Sequence, residues 1–78
     1  MARGFEKIQG VLATNMRQAR EASGLSQELL ALDAEVDRTY ISQVERGVCN
    51  PSLRVLFQIA SVLKVPVSDL LQVPEHIK

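Results

Sequence analysis

The sequence predicts an all-α domain of five helices, and three observations carry that expectation. Apolar side chains recur every three or four residues along most of the chain, the period of a helix with one buried face. Leu, Ala, Val, Ile, Glu, Gln and Arg dominate a composition that is 46% hydrophobic yet holds only two Phe and one Tyr, which favours packed helices over sheet. Ser, Asp, Gly and Pro fall between the periodic stretches, where helices are capped and stopped. At 78 residues, with no repeat, low-complexity run or linker, residues 1–78 read as one domain with a single small core.

The first helix is expected from about Phe5 to Ser23, with Phe5, Ile8, Leu12, Met16 and Ala19 on its inward face and Gly24 as its left-handed stop. Ser26 caps a short second helix from Gln27 to about Ala34, whose inward face carries Leu30, Ala31 and Ala34. After a Glu35-Val36 turn, Asp37 caps a third helix running to Arg46, with Gly47 just beyond it. Ile41 and Val44 point inward there, with Val48 as a further candidate. Two helices separated by about three residues form a helix-turn-helix, here about 27–46.

Asn50-Pro51-Ser52 makes a turn and a cap. From Leu53 to Lys64 apolar residues cover most of the helical circumference, as in a central buried helix. Val65-Pro66 ends it, and Val67 to Gln72 forms a last short helix before Pro74 and a polar tail. Val67, Leu70, Leu71 and Val73 are more apolar surface than six terminal residues can bury against their own domain. A homodimer built on a segment of about 62–74 is therefore expected, with Leu63 and Val62 assisting.

Composition excludes several function classes. The lone Cys49 allows no internal disulfide, and with the single His76 it cannot build a metal site. No nucleophile–base pair, metal cluster or glycine-rich phosphate loop is present, which argues against an enzyme and against a cofactor. The string Ser61-Val62-Leu63-Lys64 matches an S-x-x-K pattern but lies in the most apolar helix, so it is read as core and surface. No signal peptide and no run of eighteen apolar residues occur, so a cytoplasmic location is expected and no membrane partner. Nine basic and nine acidic side chains cancel. A nucleic-acid ligand must then be held by the placement of charges and not by a broad positive field.

The stretch from Gln27 to Arg46 resembles the helix-turn-helix of the Cro/C1 repressor (XRE) family, with Gln27, Leu30, Ala31, Val36, Ile41, Val44 and Glu45 at the pattern's positions. The likeness extends through Arg17-x-x-Arg20-Glu21, Gly24-Leu25-Ser26-Gln27, Glu45-Arg46-Gly47, Asn50-Pro51-Ser52-Leu53 and Ile59-Ala60, covering about Leu12 to Leu71. Asp37-Arg38-Thr39-Tyr40-Ile41-Ser42 is most similar to the controller proteins of restriction-modification systems. The resemblance implies a compact lambda-repressor-like fold and a bacterial or phage-encoded transcriptional regulator that binds double-stranded operator DNA, with RNA polymerase as a further candidate partner. One departure is Glu35, which stands where the family usually has Gly. If φ stays positive there, the residue costs roughly 1 kcal/mol.

On the third helix Arg38, Thr39, Ser42 and Gln43 lie opposite Ile41 and Val44, so they are the expected base readers. Arg grips guanine O6 and N7 with two donors, Gln does the same to adenine N6 and N7, and Thr offers a hydroxyl and a methyl. Phosphate contacts are expected from Arg17, Arg46 and Asn50, and from Ser26 and Gln27 at a helix N-terminus with free N–H donors. Tyr40 is a further candidate for the DNA backbone, although packing on the second helix explains it equally. Glu21, Glu28 and Glu75 are expected away from this surface. Glu45 lies about 40° from Ile41 on the helical wheel, so its carboxylate points inward and needs a partner. By resemblance that partner is Arg20.

A dimer would set two third helices about 34 Å apart, one turn of DNA, and would favour a near-palindromic site. A second reading stays open. Leu29 and Leu32 fall on the outer side of the second helix, where an antitoxin-type protein would meet a protein partner while also binding operator DNA.

Overall fold

The computed structural model describes residues 2–73, with side chains from residue 4 onward. Five helices follow in order: α1 (Ala2–Ala22), α2 (Gln27–Ala34), α3 (Arg38–Glu45), α4 (Leu53–Leu63) and α5 (Val67–Leu70). The described residues contain no strand. Leu12, Met16, Leu30, Ala31, Ala34, Ile41, Val44, Leu56, Ile59, Ala60, Leu63 and Leu70 form one core to which every helix contributes. Pro74, Glu75 and His76 lie outside the described residues.

The caps follow from local chemistry. Ser26, Asp37 and Ser52 each have extended backbone, and their side-chain oxygens accept from the amides of Leu29, Thr39 and Val55. Each bond satisfies one of the donors that a helix start leaves free. Gly47, at φ +72, turns the chain out of α3 while the Val48 amide closes back on the Gln43 carbonyl. An added Cβ would meet nothing nearer than 3.9 Å there, so the backbone angle, not crowding, calls for glycine.

Two left-handed positions are not glycine. Glu35 has φ +62 and Lys64 φ +61, ending α2 and α4 respectively. The helix-turn-helix turn thus takes its positive φ at a glutamate. A left-handed residue with a Cβ costs about 1–2 kcal/mol, and glycine's extra freedom in the unfolded chain returns part of that. Glu35→Gly is therefore expected to stabilise the domain by roughly 0.5–1 kcal/mol, read as a higher urea midpoint. An unchanged or lower midpoint would contradict this account of the turn.

Several expectations are corrected. Helix α1 begins at Ala2, about one turn before Phe5, and Phe5 and Ile8 are exposed. Burial starts only at Leu12, because the first turns run beyond the core and line an open crevice with Pro51, Leu56 and Leu71. Val48 is exposed, since the turn at Gly47 carries it outward. Helix α4 is two-sided: Leu56, Ile59, Ala60 and Leu63 are buried, whereas Leu53 and Phe57 are 73% and 64% exposed. It ends at Leu63, with Lys64 already left-handed.

Helix α5 is four residues long, and Leu71 and Gln72 form a turn. The Asn15 side-chain amide closes that turn, lying 3.3, 3.0 and 2.8 Å from the carbonyls of Asp69, Leu70 and Gln72. It thereby fastens α5 to α1. Leu63 and Leu70 are buried in their own domain's core and are withdrawn from the expected dimer surface, because a side chain already covered has no area left for a partner. Val62, Val67 and Leu71 are half-buried and Val73 is exposed.

Candidate nucleic-acid interface

Helix α3 presents two unlike faces. Ile41 and Val44 are fully buried, while Arg38, Thr39 and Arg46 are exposed and Ser42 and Gln43 are half-buried. Arg38 and Arg46 stand at opposite ends, about 12 Å apart along the axis at 1.5 Å per residue. Tyr40 is half-buried and packs against the core cluster, which places its ring at the edge of the α3 surface.

A polar cluster ties this helix to the rest of the domain. Glu45 is only 2% exposed, and its carboxylate takes Arg20 in a fork: Nε to Oε2 at 2.6 Å and Nη2 to Oε1 at 3.0 Å. Arg20 Nη1 also donates to the Leu25 carbonyl at 2.8 Å. The bond to Glu45 raises the Arg20 pKa, against a smaller opposing effect of desolvation, so the guanidinium stays charged. Such a charge-assisted fork fixes direction as well as distance. The expected pairing of Arg20 with Glu45 thus joins α1 to α3.

Two residues expected at phosphates are drawn into the same cluster. Gln27 donates its Nε2 to Glu45 Oε1 at 3.0 Å, so one donor of its amide serves the fold. Arg17 donates to the Glu45 main-chain carbonyl at 2.9 Å and remains exposed beyond it. That contact brings Arg17 to the C-terminal end of α3, beside Arg46. Arg46 Nε makes only a long 3.4 Å contact to the Ser42 carbonyl. Ser26 performs its capping task and is exposed, as is Asn50 in the loop before α4. Glu28, expected elsewhere, is exposed in the first turn of α2 next to Gln27, because the residue after a capped start shares that turn.

Cys49 is partly buried, which pushes its thiol pKa up and keeps it protonated, and its carbonyl accepts from Gln9 at 3.0 Å. Among the described residues no group of His, Cys, Asp or Glu is placed to hold a metal ion. No helix among them is long and apolar enough to cross a membrane. The exposed pair Leu53 and Phe57, which line a shallow groove with Arg54 and Val67, was not expected as a surface. The signal was available: on α4 the buried stripe is Leu56, Ile59, Ala60 and Leu63, and Leu53 and Phe57 lie on its shoulder at helical spacing.

A capped, outward-facing α3 held behind a second short helix by a sharp left-handed turn defines a helix-turn-helix domain of the Cro/C1 type. The chain belongs to the helix-turn-helix family HTH_3, whose model matches residues 16–70. It is 42% identical over 67 residues to the control protein C.SmaI of Serratia marcescens, covering 86% of this chain and 80% of that protein. Its fold matches the restriction-modification controller protein C.AhdI of Aeromonas hydrophila with a TM-score of 0.77 at 37% identity, over 80% of this chain and 94% of that one. A third match is SinR of Bacillus subtilis, described as the master regulator for biofilm formation and solved in complex with DNA. There the TM-score is 0.76 at 35% identity, over 78% of this chain and 98% of that one.

Proposed function

We propose that this chain is a cytoplasmic, sequence-specific DNA-binding regulator of transcription that acts as a homodimer on a near-palindromic operator. The observation that carries the reading is α3 itself, with Arg38 and Thr39 exposed at its capped N-terminal end and Ile41 and Val44 locked behind them. Helices placed this way enter the major groove with their first residues at base edges. Arg38, Thr39, Gln43 and Ser42 then read bases, and Arg17, Arg46, Asn50, Ser26, Tyr40 and the second donor of Gln27 meet the DNA backbone. The DNA complex of SinR and the control proteins among the relatives support the same reading, with control of a restriction-modification system as its narrower form.

The dimer rests on Leu53 and Phe57 together with Val67, Leu71 and Val73, apolar groups that the single domain leaves wholly or partly uncovered. Neither a cofactor nor a catalytic step is required, and RNA polymerase is the natural further partner of a protein bound beside a promoter. Leu29 and Leu32, 48% and 71% exposed on α2, favour one second reading, an antitoxin-type protein that covers a partner through α2.

Selection from random duplexes tests the proposal. It is expected to enrich a near-palindrome with half-site centres about 34 Å apart. The slope of log K against log salt should be about −0.9 for each phosphate neutralised by Arg17, Arg46 and their neighbours. No enrichment, together with a slope near zero, would exclude this surface as a DNA interface.

A further inference from the structure

We propose that Gln58, on α4 and away from the reading face, is a positioning residue that sets the angle of α3 through the helix-turn-helix turn. The last carbonyls of α2 need donors, because a helix end leaves them without partners. Those of Ala31 and Leu32 are taken by the amides of Glu35 and Val36, as the left-handed Glu35 folds the chain back. The Ala34 carbonyl is different. Ala34 is buried as a residue, and its carbonyl receives the Gln58 Nε2 at 2.9 Å in a part-buried contact.

The contact falls immediately before Glu35, the residue whose strained angle starts the turn, and four residues before Arg38. Without the Gln58 donor, a partly buried carbonyl is left unpaired, and the chain relieves that cost by rotating the turn toward water. Any such rotation swings the first residues of α3, which are the proposed base readers. A cognate complex needs the native angle, so the cost of restoring it reappears in cognate affinity, whereas phosphate contacts to a scrambled duplex tolerate a small swing. Phe57, the neighbouring residue, faces the proposed dimer surface.

The inference rests on the DNA-binding reading, and its test keeps the two apart. Gln58→Leu keeps the size and removes the donor, and Gln58→Lys supplies a donor again, next to a helix C-terminus that favours a cation. Affinities for the selected and a scrambled duplex are measured at one salt concentration, below the unfolding midpoint of every variant. The cognate-to-scrambled ratio is expected to fall about tenfold in Gln58→Leu and to recover in Gln58→Lys, with scrambled-duplex affinity in Gln58→Leu unchanged. A ratio equal to wild type in Gln58→Leu, whatever happens to its melting temperature, would overturn the positioning role. A wild-type protein that prefers no duplex would overturn the DNA-binding reading, and this inference with it.

Discussion

Replacing Arg20 by alanine is expected to destabilise the domain by about 3 kcal/mol, a loss in the range of a large-to-small substitution in the core. The pair gains little net energy from Coulomb attraction, since both ions give up water to form it. What matters is the residue left behind. Glu45 is 2% exposed, and without Arg20 only Gln27 Nε2 remains on its carboxylate, so a nearly buried charge loses its counter-ion. For a domain of this size each kcal/mol moves Tm by about 4–8 °C, so a fall of more than about 12 °C should be seen by circular dichroism. Joint replacement, Arg20→Met with Glu45→Met, should recover part of the loss because no charge is stranded. An Arg20→Ala protein that melts with wild type would show that the fork is not what holds α1 to α3.

Phe57→Glu is expected to separate the protomers of the proposed homodimer while leaving each one folded. Phe57 is 64% exposed in the single domain, so the substitution removes little from the core and Tm of the monomer should change little. In a two-fold interface the same residue is used twice, and a carboxylate placed there from both sides meets its own image. Truncating a central aromatic anchor commonly costs 2 kcal/mol or more, so the dimer dissociation constant should rise by at least about thirtyfold. Sedimentation at a few protein concentrations reads this directly. A dimer of unaltered strength would place the interface elsewhere, with the exposed Phe5 and Ile8 of α1 as the next surface to test.

The parts of this domain legible in the sequence are those governed by neighbours along the chain. Ser26, Asp37 and Ser52 were readable as caps because the residue type and the following apolar spacing agree, and each does cap its helix. The core stripe from Leu12 to Leu70 follows helical period, and Glu45 stood out as a carboxylate on an apolar face. Features set across the fold were not readable. Lys64 adopts a left-handed angle with no glycine to announce it, held by amide bonds from Lys64 and Val65 back to α4. Leu70 looked like surplus surface on a terminal helix, yet α1 and α4 give it a pocket.

The side-chain amides illustrate the same limit. Asn15, Gln27 and Gln58 each reach a residue at least eighteen positions away, and such contacts obey no local period. Gln27 looked like a phosphate ligand because it opens a helix, and the structure spends one of its donors on Glu45. The exposed ends of α3 follow from the same pattern that turns Ile41 and Val44 inward, since one amphipathic helix has only two sides.

The central claim is that the exposed N-terminal end of α3 reads bases, and Arg38→Ala tests it most directly. Binding of wild type and variant to the selected duplex and to a scrambled one is compared at a single salt concentration. Arg38 is exposed and its loss strands no buried group, so folding should be unaffected. The account predicts a loss of about 1–3 kcal/mol on the selected duplex only, with preference relaxed at one base pair in each half-site. Arg17→Ala should by comparison weaken both duplexes alike. If Arg38→Ala lowered affinity equally on the two duplexes, Arg38 would be a phosphate anchor, and α3 would not be reading sequence through that residue.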